Sequence, residues 1–287
     1  MVRFPWSLDH PTDPPAKVRL GLVRGPMEAG LPAELQETQL NVRNDAFHIG
    51  HRCIKKGPTK GCCDLCYILL GRKVPETTLH IVRDCPFTRP VLTTIWRSIF
   101  IHHAQPHLRN ITTSMDETAF CTAFTRRIVL GVAAFDDPQF AAQKSLQVPI
   151  ATLSAIVNTV LVRRRNHNAL NTKCPLQHDT QRTVRDICHL LRDITTTSYK
   201  DAVAKENHIY THYEGWLPDE DKLPTSQWLD AWTASNLLDA PTGSKPTTAL
   251  KFSLPVTTPG ATAHPTYNTH DPSVAARIGG RIRQISY

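Results

Sequence analysis

The most constraining stretch of this chain is Cys63-Asp-Leu-Cys66 followed by His80-Ile-Val-Arg-Asp-Cys85. A Cys-x2-Cys turn lets two thiolates grip one metal ion from a tight knuckle, and a His and a Cys on the next element complete a tetrahedron. Zn2+ accepts this mixed sulfur and nitrogen set without redox chemistry. With Cys63, Cys66, His80 and Cys85 all used, no coordination position remains for water, which is the arrangement of a structural zinc rather than a catalytic one. Cys62 stands beside Cys63 and offers an alternative Cys-x3-Cys pair, and His51 and Cys53 lie just upstream. Spacing alone leaves these choices open.

The thiols are expected to be reduced. The opening Met-Val-Arg-Phe-Pro-Trp lacks the apolar run of an export signal. The expected location is therefore intracellular, in the nucleus or cytoplasm, where cysteines serve as ligands more often than as disulfides. No stretch of about 18 apolar residues occurs, so no membrane span is expected. The net charge of +8 favours polyanions such as nucleic acid. Lys55, Lys56, Lys60, Arg72, Lys73 and Arg83 surround the zinc motif, and Arg163, Arg164 and Arg165 end a predicted helix. The first group is a candidate phosphate-contact surface. The second is either a further phosphate contact or a basic cap on the negative end of its helix. Such patches track a backbone and do not read bases.

The fold class is expected to be mainly α: a small Cys-Cys-His-Cys zinc-stapled module followed by a helical array, with irregular Pro-rich termini. An irregular N-terminal segment covers 1–30. The zinc module with flanking helices covers 31–110, a helical extension 111–217, and a Pro/Thr-rich, largely disordered tail 218–287. Residues 31–47 form a loosely periodic helix that Gly50 stops. A second helix runs over 76–83, with Glu76 in its first turn, where negative charge suits the dipole, and Pro86 closes it. Pro90 opens a helix whose Val91, Leu92, Ile95, Trp96, Ile99 and Phe100 make one apolar stripe; Trp96 belongs to the core. Ser114-Met-Asp-Glu117 resembles a capping box, with Phe120, Phe124, Ile128 and Val129 inward. Pro149 opens a buried apolar helix over 150–162. Asp179 caps a helix with Val184, Ile187, Cys188, Leu190, Leu191 and Ile194 on one face, and 199–213 extend the array. Trp228 and Trp232 staple a short helix within the tail.

The residues around the ligands carry a resemblance. Cys63-Asp-Leu-Cys66, Pro75-Glu76-Thr77-Thr78-Leu79-His80, Asp84-Cys85-Pro86-Phe87 and Ile95-Trp96 resemble the zinc-binding domain at the C-terminal end of non-LTR retrotransposon reverse transcriptases. The lead-in Ala46-Phe-His-Ile-Gly-His-Arg-Cys53 and the closing Ala155-Ile156-Val157-Asn158 with Arg163-Arg-Arg-Asn166 are similar to flanking parts of that family. The likeness covers roughly residues 31–170 and is sharpest over 63–96. A longer loop between Cys66 and Glu76, and a closing helix without its Trp, depart from the pattern.

The resemblance implies a zinc-binding, nucleic-acid-associated region of a retrotransposon-type reverse transcriptase, without the polymerase active site. RNA or DNA would be held through phosphate contacts, near a reverse transcriptase core. No catalytic motif stands in the chain itself: a phosphate loop, a nucleophile elbow and a His-Glu-x-x-His helix are all missing. Phe135-Asp-Asp-Pro138 reads as a turn rather than a pair of metal-binding catalytic carboxylates. The alternative is a structural zinc-stabilised helical module that docks a partner protein through helices 90–100 and 150–162.

Overall fold

The computed structural model describes residues 31–47, 61–103, 114–131, 146–171, 174–204, 225–235 and 237–238. The helices are α1 Ala33–Arg43, α2 Asp64–Leu70, α3 Arg89–His103, α4 Glu117–Ala123, α5 Thr125–Leu130, α6 Gln147–Leu170, α7 Thr180–Ala204 and α8 Thr225–Ala234, with a π-helical turn, His80–Asp84, between α2 and α3. The architecture is mainly α, as the periodicities predict. Among the described residues there is no strand, and Cys62 and Pro75 form an isolated antiparallel bridge. The expected irregular termini, the Asp136-Asp137 turn, and His51, Cys53, Lys55, Lys56 and Lys60 lie outside the described residues.

Helix α6 is the axis of the array. Every residue from Pro149 to Val162 is buried, because apolar side chains lie on most faces of this segment and the polar Ser154 and Asn158 find partners inside the core. It contains Ile150, Val157, Thr159, Val160 and Val162, which have weak intrinsic helix preference; packing, not propensity, holds it. The π-helical turn and α1, α2, α5, α7 and α8 all contact it. The helix does not end at Val162 but continues to Leu170. Arg163, Arg164 and Arg165 therefore sit inside it, and the expectation of a basic cap at its negative end is corrected. Arginine is a good helix former, and these three side chains find partners on neighbouring elements.

Helix α1 ends earlier than the sequence predicts, at a Schellman motif rather than at Gly50. Ala46 N–H donates to the Asn41 carbonyl at 2.9 Å and Asp45 N–H to Val42 at 3.3 Å. Asp45 takes the left-handed position with φ 49°, a conformation that Asp tolerates better than most residues. Helix α4 is capped by Asp116, whose carboxylate accepts from Ala119 N–H at 2.7 Å. The expected cap, Ser114, stands too far upstream. The apolar residues predicted for this stretch, Phe120, Phe124, Ile128 and Val129, are all buried, although the helix breaks at Phe124 into α4 and α5.

The end of α5 shows how polar groups are accommodated inside this core. The last carbonyls of a helix have no partner within it. Here Ile128 and Val129 accept from Ser154 Oγ, Val129 also accepts from Gln39 Nε2 at 3.0 Å and Asn158 Nδ2 at 2.9 Å, and Gly131 accepts from Gln147 Nε2 at 3.0 Å. Arg43 donates to Leu130, and burial lowers its guanidinium to about 10. Asn158 Nδ2 reaches Gln39 Oε1 at 2.7 Å, so one buried network joins α1, α5 and α6.

The remaining elements close the core. Trp96 is buried with Val91, Leu92, Ile95 and Ile99 on α3, as the stripe predicts. Asp179 caps α7 by accepting from Gln181 and Arg182 N–H. Trp228 and Trp232 stack at 5.5 Å, and Trp228 Nε1 donates to Ser198 Oγ at 3.1 Å. Both tryptophans, with Leu237 and Leu238, join the main core, so the folded unit extends past the boundary expected at 217. No described helix is long and apolar enough to cross a membrane.

Gly131 gives the first prediction. Its φ is 67°, and a Cβ there would lie 2.9 Å from Ser154 Cβ and 3.0 Å from Ala151 Cα. Left-handed strain and overpacking act together, so Gly131→Ala should destabilise the protein by about 2–4 kcal/mol. Urea denaturation checks this; an unchanged midpoint would mean the α5–α6 approach relaxes freely.

Candidate metal centre

A short paired segment builds the first half of the site. Cys63 N–H donates to Val74 C=O and Glu76 N–H to Gly61 C=O, each at 2.9 Å, on either side of the Cys62–Pro75 bridge. Cys63 is the N-cap of α2 and Cys66 lies in its first turn. Their spacing of three therefore places both sulfurs on one side. Gly71, at φ 67°, ends α2, and Arg72 N–H returns to the Cys66 carbonyl at 3.0 Å.

The second half depends on the π-helical turn. Residues five apart on an α-helix point about 140° away from each other. Widening the turn lets Cys85 N–H donate directly to the His80 carbonyl at 2.8 Å, which brings the two ligands of the His-x4-Cys pair to the same side. Such single π turns recur at functional sites. Thr77 Oγ1 accepts from His80 N–H at 3.0 Å, and Thr78 Oγ1 donates to Asp45 at the end of α1. The expected helix over 76–83 is corrected: it begins at Thr78, and Glu76 belongs to the paired segment before it.

Cys63, Cys66, His80 and Cys85 converge as predicted. All four are buried, and their ligand atoms lie within 4.8 Å of one another. Cys66 Sγ is 3.5 Å from His80 Nε2 and 4.0 Å from Cys85 Sγ. A tetrahedral ion with metal–sulfur bonds of about 2.3 Å and metal–nitrogen bonds of about 2.0 Å needs edges of about 3.5 Å and about 3.8 Å at these places. Cys62 is half-buried and is not one of the four, so the structure selects Cys63. The sulfurs are too far apart for a disulfide.

The thiols share protons. Cys66 is pushed well above its ordinary value by hydrogen bonding to Cys63 and Cys85, by burial and by their negative charge. Cys85 is held well below its ordinary value by hydrogen bonds from Cys63 and Cys66, with the Arg164 guanidinium and a backbone bond from Phe87 assisting. A metal ion must displace the remaining protons to bind.

Two adjacent arginines of α6 hold the two halves. Arg164, 6% exposed, donates to Phe87 C=O at 3.1 Å and Thr88 Oγ1 at 2.8 Å, the residues just after Cys85. Burial lowers its pKa and the charges of Cys85 and Cys63 raise it again. Three thiolates around a divalent ion carry one net negative charge, which this guanidinium offsets. Arg165 grips Glu76 at both carboxylate oxygens, at 3.0 Å and 2.6 Å, with side chains 12% and 2% exposed. Successive helical residues diverge by about 100°, so Arg164 reaches the Cys85 half and Arg165 the Cys63 half. The sequence gives no sign of either role, because both partners are remote in the chain.

The other phosphate-contact candidates divide. Arg83 is buried and bonds Asp84 and Thr125, so it turns inward with Arg164 and Arg165. Arg163 is exposed and paired with Glu34 at 2.6 Å. Arg72 and Lys73 are exposed.

Two outcomes follow. Arg165→Met alone leaves the Glu76 carboxylate buried without this partner and should destabilise the protein by about 3–5 kcal/mol, whereas Arg165→Met with Glu76→Leu should cost clearly less. Chemical denaturation of the two variants decides; equal losses would refute a direct ion-pair role. Because the raised Cys66 thiol must lose its proton on binding, metal affinity should rise with pH and fall on acidification, by about tenfold per pH unit for each proton released. Chelator competition across the neutral range measures this, and a flat profile would contradict proton-coupled binding. No protein-family model, curated protein or solved structure matches this chain.

Proposed function

We propose that the Cys63–Cys66–His80–Cys85 group is a structural zinc site. We further propose that the chain is a zinc-binding, nucleic-acid-associated region of retrotransposon reverse-transcriptase type, without a polymerase active site. The observation that carries the zinc reading is a closed set of four buried ligands, three sulfurs and one nitrogen. Such a set suits zinc better than hard cations and leaves no open position for a catalytic water. The wider reading rests on the same four residues occupying the positions that the resemblance assigns to ligands. Zinc here closes a module whose own core is small, so binding free energy becomes folding free energy. Nucleic acid is the partner class favoured by the net charge of +8 through phosphate contacts.

The protein-docking alternative finds no support in the packing. It needs helices 90–100 and 150–162 to face a partner, and their apolar side chains Val91, Leu92, Ile95, Trp96, Leu153, Ile156 and Val157 are buried within this chain.

Metal analysis of the purified protein tests the site. About one zinc per chain is expected, lost in both Cys63→Ser and Cys85→Ser together with helical signal. Full retention of metal in Cys85→Ser would falsify the ligand set.

A further inference from the structure

We propose that the outer face of α7 is a docking surface for the phosphate backbone of a nucleic acid. This rests on the nucleic-acid reading above and assigns it to residues away from the metal centre. Arg182, Arg185, His189 and Arg192 are all exposed. Their spacings of three and four place them within about 80° of arc on a helix, along about 15 Å of its length. The described arginines elsewhere include Arg43, Arg83, Arg163, Arg164 and Arg165, each of which bonds a carbonyl, hydroxyl or carboxylate of this protein. The side chains of Arg182, Arg185 and Arg192 close no hydrogen bond or ion pair among the described residues. Asp186 and Asp193 stand four residues after Arg182 and His189, and neither pairs with them.

The chemistry selects the partner. Guanidinium forks suit phosphate oxygens, and a row about 15 Å long matches the rise of about four base-pair steps at 3.4 Å each. A membrane surface fits less well. A helix lying in a bilayer interface needs an exposed apolar face, whereas Val184, Ile187 and Leu191 of α7 are buried in the core. Contacts from such a row to phosphate oxygens fix position on the backbone and carry no sequence information of their own.

The test is the salt dependence of binding of labelled duplexes of about 20 base pairs, DNA and RNA, to the full-length metal-loaded protein. Arg182→Gln, Arg185→Gln and Arg192→Gln together should lower the slope of log K against log salt by about 2–3 and weaken binding about a hundredfold at about 0.15 M salt. Asp186→Asn with Asp193→Asn should strengthen it. Circular dichroism and metal content establish that the variants fold. Binding with an unchanged slope in the triple variant overturns this surface and leaves the nucleic-acid reading standing. A wild-type protein that binds neither duplex at low salt overturns both. Binding only to phosphatidylserine vesicles also overturns the proposal, because the partner would then be a membrane.

Discussion

Two neighbouring guanidiniums inside α6 hold the metal module to the rest of the protein. Arg164 fixes the turn after Cys85 through Phe87 and Thr88, and Arg165 fixes the paired segment before Cys63 through Glu76. Burying cations is costly unless each is paired and hydrogen-bonded. Each arginine therefore requires its half of the module in place, and each half requires α6. The Arg164 charge also lies where a metal–trithiolate centre would be negative, so the same residue serves packing and electrostatics. Outer partners of this kind orient the ligands that touch a metal.

A second polar arrangement ties α6 to the opposite side of the core. Gln39, Ser154 and Asn158 satisfy the carbonyls at the end of α5 and draw α1 onto α6. Apolar burial alone would permit several ways of stacking these short helices. Hydrogen bonds to named carbonyls permit one, since a buried carbonyl left unmade is expensive. The end of α1 reaches the metal module in turn, where Asp45 accepts from Thr78. Metal site and helical array are thus joined through Arg164, Arg165 and Asp45, and through Arg83, which donates to Thr125, so loss of a bound ion should be felt across the array.

Much of this was legible in the chain. Cys66, His80 and Cys85, with Cys63 or its neighbour Cys62, could be picked out from their spacing, because a knuckle and a following pair are local features. The stripe from Val91 to Ile99 and the capped start of α7 were legible for the same reason: periodicity and caps act within a few residues. The failures share a cause. Glu76 reads as a first-turn carboxylate because its partner, Arg165, is 89 residues away. The Arg163–Arg165 run reads as a surface patch or a helix cap because burial is not written in a charged run. Trp228 and Trp232 sit in a stretch of tail-like composition, yet the core receives them.

The sequence by itself determined the helical class, three of the ligands with a choice between Cys62 and Cys63 for the fourth, and the excess of positive charge, since each rests on local spacing or composition. Tertiary structure decided which cysteine of the Cys62-Cys63 pair joins the site, by placing Cys62 in the bridge to Pro75 and Cys63 at the start of α2. It decided that His80 and Cys85 meet, through one widened turn. It also sorted the arginines, holding Arg83, Arg164 and Arg165 inside while leaving Arg182, Arg185 and Arg192 facing solvent. A guanidinium has the same charge in either setting, and only the positions of distant carbonyls and carboxylates determine whether it has a partner.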